Sequence, residues 1–146
     1  ELFLELIESL SKKYGKLYLS TEQTSSKNFK KVYNLFVKYN DKSLYKINQN
    51  NEKIIILDKL NFKNWRKAIV SSKLVITHEC GCVHVASMSN VPLIVVYDYK
   101  NKPHMINKEY APYKSNYEKV IVKQELINQE IMIKLKKIKS NIHHRI

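Results

Sequence analysis

The stretch that decides the fold is "SSKLVITHECGCVHVASMSNVPLIVVYD", residues 71–98. It opens on "KLVIT" (73–77), a continuous apolar run, and closes on "VPLIVVYD" (91–98), a second one. Unbroken apolar strands of this kind are buried on both faces, as in parallel sheets, rather than half-exposed. Pro92 stands at the start of the second run, where a missing N–H is tolerated. Between them "VHVASMSN" (83–90) reads as a short helix. Strand, helix, strand is the unit that joins parallel neighbours.

Working outward, the same alternation continues. "LFLELIESLSKKYG" places Phe3, Leu6, Ile7, Leu10 and Tyr14 on one helical face, with Gly15 as a stop. "KLYLS" (16–20) follows as a strand. Ser25 or Ser26 can cap a helix over 27–40, lined by Phe29, Val32, Tyr33 and Phe36. "SLYKIN" and "IIIL" read as strands on either side of a polar turn. Asn61 starts a helix carrying Phe62, Trp65 and Ile69. Beyond residue 98 the expectation is a long loop over 99–116, a short strand "KVIV" (119–122) and a terminal helix over 124–142. The order predicts an α/β fold: one Rossmann-like domain over residues 1–146, an open parallel sheet with helices on both faces.

The formal charge of +13 points toward anionic partners. Its makeup argues against nucleic acid. Only Arg66 and Arg145 are arginines, base recognition favours the guanidinium fork, and the lysines are spread along the chain without a recognition motif. A solvated lysine-rich surface is the simplest reading, with peripheral contact to an anionic membrane through "KLKKIKSNIHHRI" as the next. Two cysteines two positions apart do not make a disulfide framework, so a reduced, cytoplasmic setting is expected. The chain opens on Glu1 rather than Met and is read as part of something longer.

Chemistry concentrates in "HECGCVH", residues 78–84. His78, Cys80, Cys82 and His84 are all zinc-competent types. However, residues six apart on a strand lie about 20 Å from one another, too far for one ion. Cys-x-Cys also lacks the two intervening residues of the familiar redox pair. Position offers a third reading. A buried strand, a turn holding Gly81 and a helix N-terminus form an anion site, because backbone N–H groups and the helix dipole converge there. Thr77, Glu79, Cys80, Gly81, Cys82 and His84 are the candidate ligand-binding residues. Thr21 and Glu22, after the first strand, are candidates for a ribose or base edge. Lys102 and His104 in the long loop are candidates for a phosphate or sugar.

The residues of this stretch resemble the signature of glycosyltransferase family nine, the ADP-heptose:lipopolysaccharide heptosyltransferases. That signature has an apolar strand, an Asp, a Ser or Thr, Gly, two variable residues, His, an apolar residue and Ala, then Val-Pro opening the next strand. Gly81, His84, Ala86, Val91 and Pro92 match it, while Glu79 stands for the Asp and Cys80 for the Ser or Thr. The good match covers residues 53–98. The resemblance implies the C-terminal, donor-binding half of a GT-B enzyme, metal-independent, with the diphosphate of a nucleotide sugar, ADP-linked in that family, at this turn. It implies transfer of a hexose or heptose to lipopolysaccharide or another cell-surface acceptor at the inner membrane face. It further implies an N-terminal acceptor domain, or a partner chain, outside this sequence; without it the chain is an incomplete enzyme. No cofactor is expected beyond the nucleotide-sugar substrate. The alternatives are a sugar-nucleotide epimerase, for which "HE" suits proton transfer, and a degenerate, non-catalytic nucleotide-binding domain.

Overall fold

The computed structural model describes residues 2–14, 16–21, 36–39, 44–47, 54–58, 60–113 and 115–143. The chain divides into two compact units, Glu1–Lys63 and Asn64–Ile146.

The first unit begins with α1 (Leu2–Lys13). Leu6, Ile7 and Leu10 are buried at helical spacing, and Lys12 and Lys13 sit in the last turn, where cations complement the dipole. Four strands follow: β1 (Leu17–Thr21), β2 (Phe36–Tyr39), β3 (Leu44–Ile47) and β4 (Ile54–Asp58). Their order in the sheet is β1-β4-β3-β2. β1 pairs parallel with β4, from Leu17 opposite Ile54 to Thr21 opposite Asp58. The other two pairings, β2 with β3 and β3 with β4, are antiparallel.

This corrects two expectations. Phe36–Tyr39 is strand, not the end of a helix over 27–40; residues 27–35 and 40 lie outside the described set. Phe-Val-Lys-Tyr carries aromatic and β-branched side chains that fit a pleated surface. This sheet is also mixed rather than wholly parallel. Chain length gives the reason: the short links over 40–43 and 48–53 can return a strand only antiparallel, since a parallel crossover needs about a dozen residues.

The second unit carries the rest of α2 (Phe62–Val70), then β5 (Val75–His78), α3 (Gly81–Met88), β6 (Leu93–Val96), α4 (Pro103–Tyr110) and β7 (Tyr117–Val120). A 3₁₀ turn (Gln124–Leu126) leads into α5 (Ile127–His143). β5, β6 and β7 form a parallel sheet in that order, as the apolar runs require. Val75 pairs with Leu93 and Thr77 with Val95; Leu93 pairs with Tyr117 and Val95 with Lys119.

Alternation along β6 separates two cores. Leu93, Val95 and Tyr97 pack with Ile69, Val83, Ala86 and Val91, against α2 and α3, with Trp65 and Ile106 joining from the edge. Ile94, Val96 and Val120 belong to the opposite face, where α5 lies on β6 and β7 and buries Ile131, Leu135 and Ile138. Helices therefore cover both faces of this sheet, and the class is α/β with Rossmann-like character. Glu118, also on the α5 face, is buried but paired by Lys137 at 2.8 Å and Lys134 at 3.5 Å. Among the described residues no helix is long and apolar enough to cross a membrane.

α4 occupies the segment read from sequence as a loop. Its signal is Pro103 at the first helical turn, where the missing N–H has no intrahelical partner to lose. β7 starts two residues before "KVIV", because Tyr117 and Glu118 already pair with Leu93 and Ile94.

Candidate active site

The candidate site is the turn between β5 and α3. Parallel β5 ends at His78, and the Glu79 N–H donates to the Val96 carbonyl at 3.2 Å, extending the ladder past the strand. Cys80 is the N-cap, fully extended at φ −171°, ψ −177°, and Gly81 is the first residue of α3. The chain thus passes from sheet to helix in two residues, at the carboxyl end of the strand, where ligands of open α/β sheets bind.

The Cys80 side chain makes no capping hydrogen bond to the start of α3. Ser, Thr, Asp or Asn at this position would normally satisfy one of the first N–H groups. Cysteine, a weak acceptor, does not. Gly81 is exposed, and a Cβ built on it meets nothing within 4 Å. Its φ is not positive either. Neither backbone conformation nor packing therefore demands glycine here. What glycine provides is open approach to a helix N-terminus, the arrangement that receives a phosphate or carboxylate.

The family model of glycosyltransferase family 9 (heptosyltransferase) matches residues 16–139, and so spans both units and this turn. The chain belongs to glycosyltransferase family 9. No curated protein matches the chain, and no solved structure does.

Within this family 9 chain, six of the sequence candidates lie along the end of β5, the turn and the first turn of α3. Thr77, the penultimate residue of β5, donates its hydroxyl to the His78 carbonyl at 3.0 Å and lies 3.5 Å from Cys80 Sγ. Glu79 is half-buried beside it, and Cys80 is exposed. Cys82 packs partly into the core. Burial first, and the neighbouring Cys80 second, push its thiol up to about 11; a hydrogen bond with Thr77 offsets part of this. Both cysteines are free. His84, one turn into α3, is exposed, as is His78. Among the described residues no three His, Cys, Asp or Glu side chains are grouped to hold a metal ion.

Four further candidates lie outside this stretch of sequence. Thr21 ends β1 opposite Asp58, in the first unit, and Glu22 lies outside the described residues. Lys102 is the N-cap of α4 in the left-handed region, φ 42°, and His104 is exposed within that helix. Sequence reading did not pair Tyr97 with Asn107, whose Nδ2 donates to the Tyr97 hydroxyl at 2.8 Å. Tyr97 looked like one more apolar residue of a buried strand, and Asn107 sat in an apparent loop.

Proposed function

We propose that this chain supplies the donor-binding part of a glycosyltransferase, with the diphosphate of a nucleotide sugar held on the β5–α3 turn. The observation that carries the reading is the uncapped N-terminus of α3 with open space over Gly81, at the end of a parallel strand. The reaction is attack of an acceptor hydroxyl on the anomeric carbon, with departure of the nucleoside diphosphate. The amides at Gly81 and Cys82 and the dipole of α3 act on the charge that grows on the leaving group. Such preorganised dipoles favour the transition state without reorganisation. Glu79 and His84 flank the diphosphate position and contact the sugar or ribose. The sugar is a hexose or heptose on an ADP-type carrier, and the acceptor is lipopolysaccharide or another cell-surface glycan, at the cytoplasmic face of the membrane. Acceptor binding and the general base belong to a further domain or partner chain.

The test is calorimetric titration with ADP, UDP and GDP, with and without EDTA, on the wild type and Gly81→Val. A Cβ at this position meets nothing within 4 Å, and circular dichroism of Gly81→Val checks that the fold is kept. EDTA-insensitive binding that Gly81→Val reduces supports a metal-free diphosphate turn. Equal binding by both proteins, or binding abolished by EDTA, contradicts it.

A further inference from the structure

The edge of the β5-β6-β7 sheet opposite the β5–α3 turn carries exposed apolar side chains that the proposed chemistry does not use. The three strands are parallel, so all of them begin at this edge. Hydrogen bonds stitch their starts together: the Val75 N–H donates to the Pro92 carbonyl and the Leu93 N–H to the Asn116 carbonyl, each at 3.0 Å. Neighbouring strands are spaced about 4.8 Å apart, so the points where the three loops enter the sheet fall within about 10 Å. Ser115 adds a cross-tie, its hydroxyl donating to the Ser87 carbonyl at 3.2 Å near the end of α3.

Large apolar groups stand in water here. Met88, the last residue of α3, is 80% exposed, and Tyr113, in the loop before β7, is 86% exposed. Tyr110, the last residue of α4, is 52% exposed. The Ser115–Ser87 bond sets the loop of Tyr113 beside the end of α3 that carries Met88. The charge around them is basic. Lys73 sits in the turn before β5 and Lys108 in the last turn of α4, both exposed, with Glu109 as the acid next to Lys108. α5 adds to this charge. Its Lys134 and Lys137 reach Glu118, the second residue of β7, so the helix runs back toward this edge and brings exposed Lys136 with it.

We infer that this edge docks onto an anionic lipid surface, with Met88, Tyr110 and Tyr113 entering the headgroup layer and Lys73, Lys108 and Lys136 meeting lipid phosphates. Tyrosine rings, apolar in body and polar at the tip, settle at a membrane–water interface, and lysines reach its phosphates from an apolar stem. A thioether and two phenols among lysines match that layered surface, and the formal charge of +13 supplies the long-range attraction. Docking at this edge keeps the β5–α3 turn, at the other end of the strands, clear of the lipid. The inference deepens the acceptor side of the reading above, since it holds the chain where a lipid-linked acceptor lies. Lipid binding itself depends on no donor site.

The experiment is sedimentation of the full chain with vesicles of phosphatidylcholine alone and of phosphatidylcholine with phosphatidylglycerol, with no nucleotide present. The wild type is compared with Met88→Ser/Tyr113→Ser, with Lys73→Gln/Lys108→Gln, and with Lys100→Gln/Lys123→Gln, which removes the same charge from the opposite edge. These side chains are all exposed, and circular dichroism checks each fold. The wild type should bind the anionic vesicles and not the neutral ones. A lysine near such a surface contributes about 5-fold, so Lys73→Gln/Lys108→Gln should weaken binding about 10- to 25-fold. The opposite-edge pair, beyond a Debye length from the lipid, should change it by less than about 2-fold. Met88→Ser/Tyr113→Ser should weaken it about 10-fold or more, through lost apolar burial. A wild type left in the supernatant, equal losses for the two lysine pairs, or binding indifferent to Met88→Ser/Tyr113→Ser would overturn the inference. So would a wild-type dimer on size exclusion that Met88→Ser/Tyr113→Ser turns monomeric, which assigns the edge to a second copy. ADP titration of the same proteins tests the donor reading separately: lipid binding by a chain that takes no nucleoside diphosphate sustains this inference while that reading fails.

Discussion

The Thr77 hydroxyl lies 3.5 Å from the Cys80 thiol, across the bend where β5 gives way to α3. The same hydroxyl donates to the His78 carbonyl at 3.0 Å. Cys80 is exposed at this bend, while Cys82, one residue past Gly81, is partly in the core with its pKa pushed up to about 11. The two thiols are therefore chemically unequal. At pH 8 only about one Cys82 in a thousand is thiolate, the nucleophilic form. Iodoacetamide at pH 8, followed by mass spectrometry, should label Cys80 well before Cys82. On the proposed donor reading, saturating ADP should protect Cys80.

The raised Cys82 pKa also makes a stability prediction. A thiol whose pKa is higher folded than unfolded keeps its proton more tightly in the native state. Its contribution is whole below pH 9 and is lost as pH climbs toward 11, where the unfolded thiol ionises and the folded one resists. Thermal unfolding from pH 8 to 11 should show a steeper fall in Tm for the wild type than for Cys82→Ala. Parallel profiles would mean that Cys82 is solvated.

Within the β5-β6-β7 sheet, burial and charge can be weighed against each other. Leu93 is fully buried in the centre strand, so Leu93→Ala should cost about 2–5 kcal/mol in urea unfolding. Glu118 is nearly as buried, yet its partner Lys137 is 60% exposed. Glu118→Gln should therefore cost at most about 1 kcal/mol, and less at high salt.

Much of this architecture is legible in the residues. The runs "KLVIT" and "VPLIVVYD" are unbroken because helices cover both faces of β5-β6-β7, and that made their pairing readable. The β5–α3 turn was legible for the same reason: a strand and a helix separated by two residues leave few places for Gly81. Phe36–Tyr39 was not. Phe29, Val32, Tyr33 and Phe36 satisfy a helical period, but that period says nothing of the partner at Leu44–Ile47, which decides the strand. The Asn40-Asp41 pair between the two runs was the available turn signal. α4 was hidden because Lys and Asn around Pro103 look like loop composition. The Asn107–Tyr97 bond was out of reach, because it joins two elements through a register that only the paired strands reveal.

The most direct measurement is a ¹H–¹⁵N titration of the full chain with ADP. Saturable shifts centred on the amides of Gly81, Cys82 and Val83, unchanged by EDTA, are the predicted result. Shifts confined to other parts of the chain, with these three amides unmoved at saturation, would contradict a diphosphate site at the start of α3.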